Sequence, residues 1–90
     1  MSIKERINHE ETTIVDVRTQ AEFLGGHIKE SINIPLHQIA SRLDELMTMQ
    51  PLVLCCASGG RSGQATAYLK GQGLDVVNGG GWIMVDTQKV

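Results

Sequence analysis

Residues 55 to 62 read Cys-Cys-Ala-Ser-Gly-Gly-Arg-Ser and hold both cysteines of the chain. A thiolate is a nucleophile, and glycines beside it let the backbone approach an anion closely. Counted from Cys55, the arginine falls at C-x5-R spacing, which suits a phosphatase loop. Counted from Cys56, the spacing is C-x4-R, which suits a sulfur-transfer loop. The first question is which cysteine reacts, if either does.

The flanking sequence argues for a strand before this stretch and a helix after it. Leu52-Val53-Leu54-Cys55 is a continuous apolar run of the kind buried on both faces of a parallel sheet. Ser58-Gly59-Gly60 is expected to be a loop, and a helix is predicted from Arg61 or Ser62 to about Lys70, capped by Gly71. The cysteines then stand at the carboxyl end of a strand, where ligand sites of open α/β sheets form. The N–H groups and partial positive charge of the helix start favour an anion, and thiolate over thiol. Gly59 and Gly60 would turn successive N–H groups inward. A lone cysteine is more often inert packing. The context reverses that for one of the pair, and the other is expected to end the strand in the core.

The remaining chain supplies elements to hold such a loop. Thr13 to Val17 reads as a buried strand, Gln20 to Leu24 as one helical turn stopped by Gly25-Gly26, and Ile32 to Ile34 as a brief strand. From Pro35 to Met49 the apolar residues Leu36, Ile39, Ala40, Leu43, Leu46 and Met47 predict an amphipathic helix. Leu74 to Val77 is the last predicted strand, followed by a turn at Asn78-Gly79-Gly80-Gly81 and a short tail around Trp82. Short apolar runs alternating with helical segments predict an α/β fold in a single domain spanning residues 1–90.

Composition narrows the classes. A chain of 90 residues buries only about 60–65% of the surface its unfolded form exposes. Adjacent cysteines cannot close a stabilising loop, and with no other cysteine neither a disulfide framework nor a Cys-rich zinc site is expected. No metal or cofactor is implied. The free thiols suggest a reducing, cytoplasmic setting. A net charge of −2 without a basic run excludes nucleic acid and anionic membranes as expected partners, and the polar start predicts no signal peptide. His9 and His37 read as solvated surface.

Cys56 to Ser62, with C-x-x-G-x-R-S spacing, resembles the active-site loop of the rhodanese-like sulfurtransferases. Residues 14 to 36, IVDVRTQAEFLGGHIKESINIPL, match that family's D-x-R-x-x-x-E-F and G-H-I-x-x-S/A-x-N-I-P signatures. YLKGQGLDVV and NGGGW (78 to 82) match its late helix, strand and turn. The resemblance implies a rhodanese-like α/β fold, a small parallel sheet of four or five strands with helices on both faces. It favours Cys56, because Gly59 follows it by three residues as in family members, whereas Ser58 stands three after Cys55. Only a short segment precedes Ile14, so the N-terminal edge strand common in the family is expected to be missing or rudimentary, and the C-terminal helix minimal. An exposed sheet edge leaves a monomer or a weak homodimer as the expected states.

The mechanism so implied is ping-pong sulfur transfer. Cys56 would take sulfane sulfur from thiosulfate or a persulfide. It would pass the sulfur to cyanide, a thiol, thioredoxin or a sulfur-carrier protein, while N–H groups from Ala57 to Ser62 stabilise the anions. Arg61 would either face an anionic donor or fold back onto a carboxylate and brace the loop. Ser62 would cap the helix, the commoner role, or donate to the sulfur. Asp16, Arg18, Glu22 and His27 are expected to be structural, with Arg18 pairing Glu22 across a turn and His27 packing and hydrogen-bonding as the family histidine does. Three other classes compete: a non-catalytic rhodanese-like binding or regulatory module, a phosphatase using Cys55, and a redox role in which Cys55 resolves an oxidised or persulfidated Cys56.

Overall fold

Four short strands pair in parallel, in the order β2-β1-β3-β4. They are β1 (Thr13–Asp16), β2 (Ile32–Asn33), β3 (Leu52–Cys56) and β4 (Val76–Gly81) in a computed structural model that describes residues 1–90. The five helices are α1 (Ile3–Asn8), α2 (Gln20–Leu24), α3 (Leu43–Met47), α4 (Gly60–Gly71) and α5 (Trp82–Gln88). Strand β3 is central and all five of its residues are buried, as its unbroken apolar run requires. Its neighbours are β1, in register from Thr13 opposite Leu52 to Asp16 opposite Cys55, and β4. The chain winds outward from β1 to β2, then back across to β3 and on to β4. The carboxyl ends of β1 and β3 therefore flank the point where the winding reverses.

Side chains alternate across the sheet and build two cores. On one face Val15, Leu52, Leu54 and Cys56 pack with Ile39, Leu46, Ala65 and Leu69. On the other, Ile14, Val53 and Cys55 pack with Ile7, Ile28 and Val85. Thus α3 and α4 cover one face, α1 and α5 the other. Both short N-terminal helices carry capping boxes: Ser2 with Glu5 for α1, and Thr19 with Glu22 for α2. Reciprocal capping matters here, because helices this short are marginal in isolation. No helix is long and apolar enough to cross a membrane.

Several expectations need correction. The amphipathic helix of residues 35–49 is instead two 3-10 turns, Leu36–Gln38 and Ala40–Arg42, followed by α3. The spacing misled because residues three apart share a face in both helix types. Ile39 and Leu46 do face the core, with Leu36 and Leu43 packed against it, whereas the i+4 residues Ala40 and Met47 are exposed. Helix α4 runs through Gly71 to a cap at Gln72, and it is Gly73 that adopts the left-handed conformation, with φ 87°. It begins at Gly60, earlier than the side-chain pattern suggested. The sheet has four strands, within the expected four or five, and in place of the N-terminal edge strand, expected to be missing or rudimentary, the segment forms α1. The tail around Trp82 is the first turn of α5.

The predicted turn at residues 78–81 is the last four residues of β4. The register with β3 jumps from Leu54–Asn78 to Cys55–Gly80, so Gly79 bulges out of the ladder. A Cβ on Gly79 would lie 2.7 Å from Val85 Cγ2 and 2.8 Å from Val53 Cγ1. Gly79 and Gly81 allow close approach within the strand, a Cβ on Gly81 lying 2.9 Å from the Ala57 carbonyl oxygen, whereas Gly80 supplies a positive φ of 90°.

This geometry predicts opposite outcomes for two glycine substitutions. Gly79→Ala overpacks the core and should destabilise the fold by about 1–3 kcal/mol. Gly71→Ala, at a helical position with open space around its Cβ, should be neutral or stabilise by up to about 0.5 kcal/mol. Urea unfolding midpoints of the two variants check the order.

Candidate active site

Strand β3 ends at Cys56, and Gly59 turns the chain directly into α4. Gly59 serves as the N-cap with φ 103°, and a Cβ on it would lie 3.3 Å from Gly80 Cα. Only glycine suits a left-handed position against a neighbouring backbone. The turn brings N–H donors back onto the cysteine. The Gly59 N–H reaches Cys56 Sγ at 3.0 Å and the Ser62 N–H at 3.4 Å. The Ser62 hydroxyl lies 3.3 Å from Sγ. The same oxygen is 2.7 Å from Asn78 Oδ1, so its single proton serves one acceptor at a time.

Adjacent positions on a strand point to opposite faces, and the two cysteines diverge accordingly. Cys55 is fully buried in the core beneath α5, and burial, reinforced by the Asp16 carboxylate, pushes its thiol up to about 12. Burial also acts on Cys56, but the Ser62 hydroxyl and the N–H groups of Ser62, Gly59 and Ser58 outweigh it and bring the thiol down to about 7. Cys56 is itself only 1% exposed, so its sulfur forms the floor of the cradle. A surface hollow of about 390 Å³, lined by Ile7, Thr13, Ile14 and Lys29 among others, opens at the amino end of β1, away from this floor.

Arg61 folds back. Its Nη1 and Nη2 donate to the two Glu22 carboxylate oxygens at 2.7 and 2.9 Å, joining the cradle to α2. The Arg61 guanidinium, followed by the Thr19 N–H, brings Glu22 down to about 2. Arg18 therefore does not take the Glu22 carboxylate expected for it. It pairs with Asp16 instead, its Nη2 on Oδ2 at 2.7 Å and its Nε 3.0 Å from each carboxylate oxygen. Arg18 further donates to the Gly26 carbonyl at 2.7 Å and lies 4.9 Å over the Trp82 ring. With Asp16 at 0% and Arg18 at 5% exposure, this pair is buried and fully bonded. His27 stacks on Phe23 with ring centroids 3.8 Å apart, and its Nδ1 is 2.8 Å from the Phe23 carbonyl, outside the cradle.

Ser62 does not cap α4, because the N-cap is Gly59, which makes no side-chain cap bond. Ala57 and Ser58 form the exposed lip of the cradle, and Gly60 and Arg61 occupy the first turn of α4, where N–H groups have no helical partner. Asn78 is a site residue that sequence reasoning missed. Besides facing Ser62, its Oδ1 accepts the Gly80 N–H at 3.0 Å and its Nδ2 donates to the Gly59 carbonyl at 3.1 Å. Its signal was a polar side chain just before the glycine run, close to the carboxyl end of a strand. No three His, Cys, Asp or Glu side chains converge as metal ligands.

A cysteine at the carboxyl end of a central parallel strand, cradled by the following helix start, places the chain among α/β domains with an anion-stabilising site at that strand end. More narrowly, it belongs to the rhodanese-like domain family, whose model matches residues 2–82. It is 40% identical over 73 residues to a sulfurtransferase of Allochromatium vinosum, covering 80% of this chain and 68% of that one. It is 41% identical over 64 residues to the thiosulfate sulfurtransferase GlpE of Pseudomonas syringae pv. syringae, covering 71% of this chain and 60% of that protein's length. The crystal structure of a rhodanese-like domain protein from Staphylococcus aureus superimposes with a TM-score of 0.78 at 30% identity, over 91% of this chain and 80% of that one.

The divergent cysteines predict selective alkylation. Iodoacetamide should modify Cys55→Ser and leave Cys56→Ser unmodified in the folded state, as read by intact mass. Ser62→Ala removes a donor to the sulfur and should slow alkylation of Cys56 at pH 7 about fivefold.

Proposed function

We propose that the protein is a sulfurtransferase that carries sulfane sulfur as a persulfide on Cys56, taken from thiosulfate or a persulfide donor. The observation that carries this reading is the convergence of the Gly59 and Ser62 N–H groups and the Ser62 hydroxyl on a sulfur whose thiol lies at about 7. A thiol at that position is substantially ionised near neutrality and needs no separate general base. The six-residue loop from Cys56 to Arg61 has the length that the resemblance to rhodanese-like sulfurtransferases implies. Because the Cys56 sulfur is nearly covered, the site favours donors that present a slim terminal sulfur.

In the first half-reaction the thiolate attacks the outer sulfur of the donor. The donor's own sulfur–sulfur bond breaks, and sulfite or a thiolate departs with the bonding pair. In the second, a nucleophilic acceptor takes the outer sulfur and restores the Cys56 thiolate. Cyanide serves as a laboratory acceptor. A small thiol, thioredoxin or a sulfur-carrier protein is the proposed physiological kind. The helix start supplies further N–H groups at Gly60 and Arg61 to stabilise the negative charge that moves outward to the second sulfur. The names of the relatives support the same reading.

A phosphatase built on Cys55 is disfavoured by that residue's complete burial and its thiol at about 12. The same features count against Cys55 as a resolving thiol. A non-catalytic module is disfavoured by the hydrogen bonds that converge on Cys56.

Incubation with thiosulfate or a persulfide should add the mass of one sulfur to wild type and to Cys55→Ser, and leave Cys56→Ser unchanged. The loading rate should rise with pH through about 7, because the thiolate is the attacking form and is lost as pH falls below that value. Sulfur retained on Cys56→Ser would overturn the assignment.

A further inference from the structure

Arg61 is the only cation between residues 55 and 62, and its charge is already neutralised within the protein. Both terminal nitrogens lie on the Glu22 carboxylate, a two-point ion pair that leaves a 36% exposed guanidinium side chain beside a 37% exposed carboxylate. Glu22 cannot easily swing away, because Oε1 also accepts the Thr19 N–H at 3.1 Å in the α2 capping box. The other charged pair of this region, Asp16 with Arg18, is buried and likewise cancels. Two carboxylates and two guanidiniums sum to zero. What remains to meet a donor is a set of N–H dipoles and one hydroxyl.

The two donor classes make unequal demands on such a site. With thiosulfate the step is Cys56–S⁻ + S–SO₃²⁻ → Cys56–S–S⁻ + SO₃²⁻, and three negative charges gather in the cradle. With a protonated persulfide it is Cys56–S⁻ + H–S–S–R → Cys56–S–S–H + R–S⁻. One negative charge is present throughout, the proton stays on the transferred sulfur, and the thiolate leaves with the electron pair of the broken bond. A donor dianion calls for a free cation, and this cradle presents none.

We propose that the Glu22–Arg61 ion pair sets the donor class, so that the site takes sulfur from a persulfide of low charge in preference to thiosulfate. Glu22 acts as a specificity-determining residue by holding Arg61 on a carboxylate. The proposal rests on the sulfurtransferase reading above and narrows its donor. The pair persists throughout the working pH range, since Glu22 is protonated only near pH 2.

The test is single-turnover loading of Cys56, followed by mass, with two donors: sodium thiosulfate and the persulfide of N-acetylcysteine methyl ester, which has no other ionisable group. Wild type is expected to load faster from the persulfide. Glu22→Gln keeps a residue accepted at this place in a capping box but frees the guanidinium charge. It should raise the thiosulfate-to-persulfide rate ratio about fivefold at low salt, an advantage that added sodium chloride erodes. Arg61→Gln leaves the Glu22 charge unpaired and should lower the ratio. A ratio that stays within twofold of wild type in both variants, or moves the opposite way, overturns the proposal while leaving sulfur transfer intact. Failure of both donors to load wild type overturns the sulfurtransferase reading itself, and this proposal with it.

Discussion

Side-chain alternation along one fully buried strand is the constraint on which the rest of this structure depends. Because β3 packs on both faces, Cys55 and Cys56 must point to opposite cores. One sulfur is then closed off among Val53, Ile14 and Val85, while the other stands at the strand's end, where the chain must leave the sheet. Gly59 supplies the positive φ for that exit, and α4 starts at once. The Gly59 and Ser62 N–H groups at this helix start therefore point at Cys56. Two neighbouring thiols of the same chemistry are thereby driven apart, to about 12 and about 7.

The surrounding polar residues hold this arrangement from three sides. Glu22 caps α2 and grips Arg61, so a helix of five residues and the cradle are ordered by one carboxylate. Asn78 ties the cradle to β4 through Gly59 and faces the Ser62 hydroxyl. The Asp16–Arg18 pair spans the end of β1, the Gly26 turn and Trp82. Each of these groups has its partners within the protein. The cradle consequently presents oriented dipoles rather than a free charge.

The strands and the cysteine loop were legible because their signals are local. Leu52 to Cys55 is apolar without interruption, and a strand, a glycine loop and a helix follow one another over a few residues. Residues 35–49 were misread because spacings of three satisfy both 3-10 and α geometry, and only packing against β1 and β3 decides between them. The glycines at 79–81 were misread as a turn. The use of Gly79 in the bulge depends on Val53 and Val85, which are remote from it in sequence or lie on the next helix, and that of Gly81 on the Ala57 carbonyl.

The sequence by itself determined the α/β class, the family resemblance and the place of the glycine loop, since these follow from the order and spacing of neighbouring residues, and it was the resemblance that ranked Cys56 over Cys55. Only the tertiary structure decided where the charged side chains go. Arg18 turns to Asp16 two residues away, while Arg61 reaches Glu22 across 39 positions. Asn78, which the sequence reading placed in a turn, enters the site from β4. Such choices depend on which partner the packed backbone brings within hydrogen-bond distance, and a linear pattern of residue types does not carry that information.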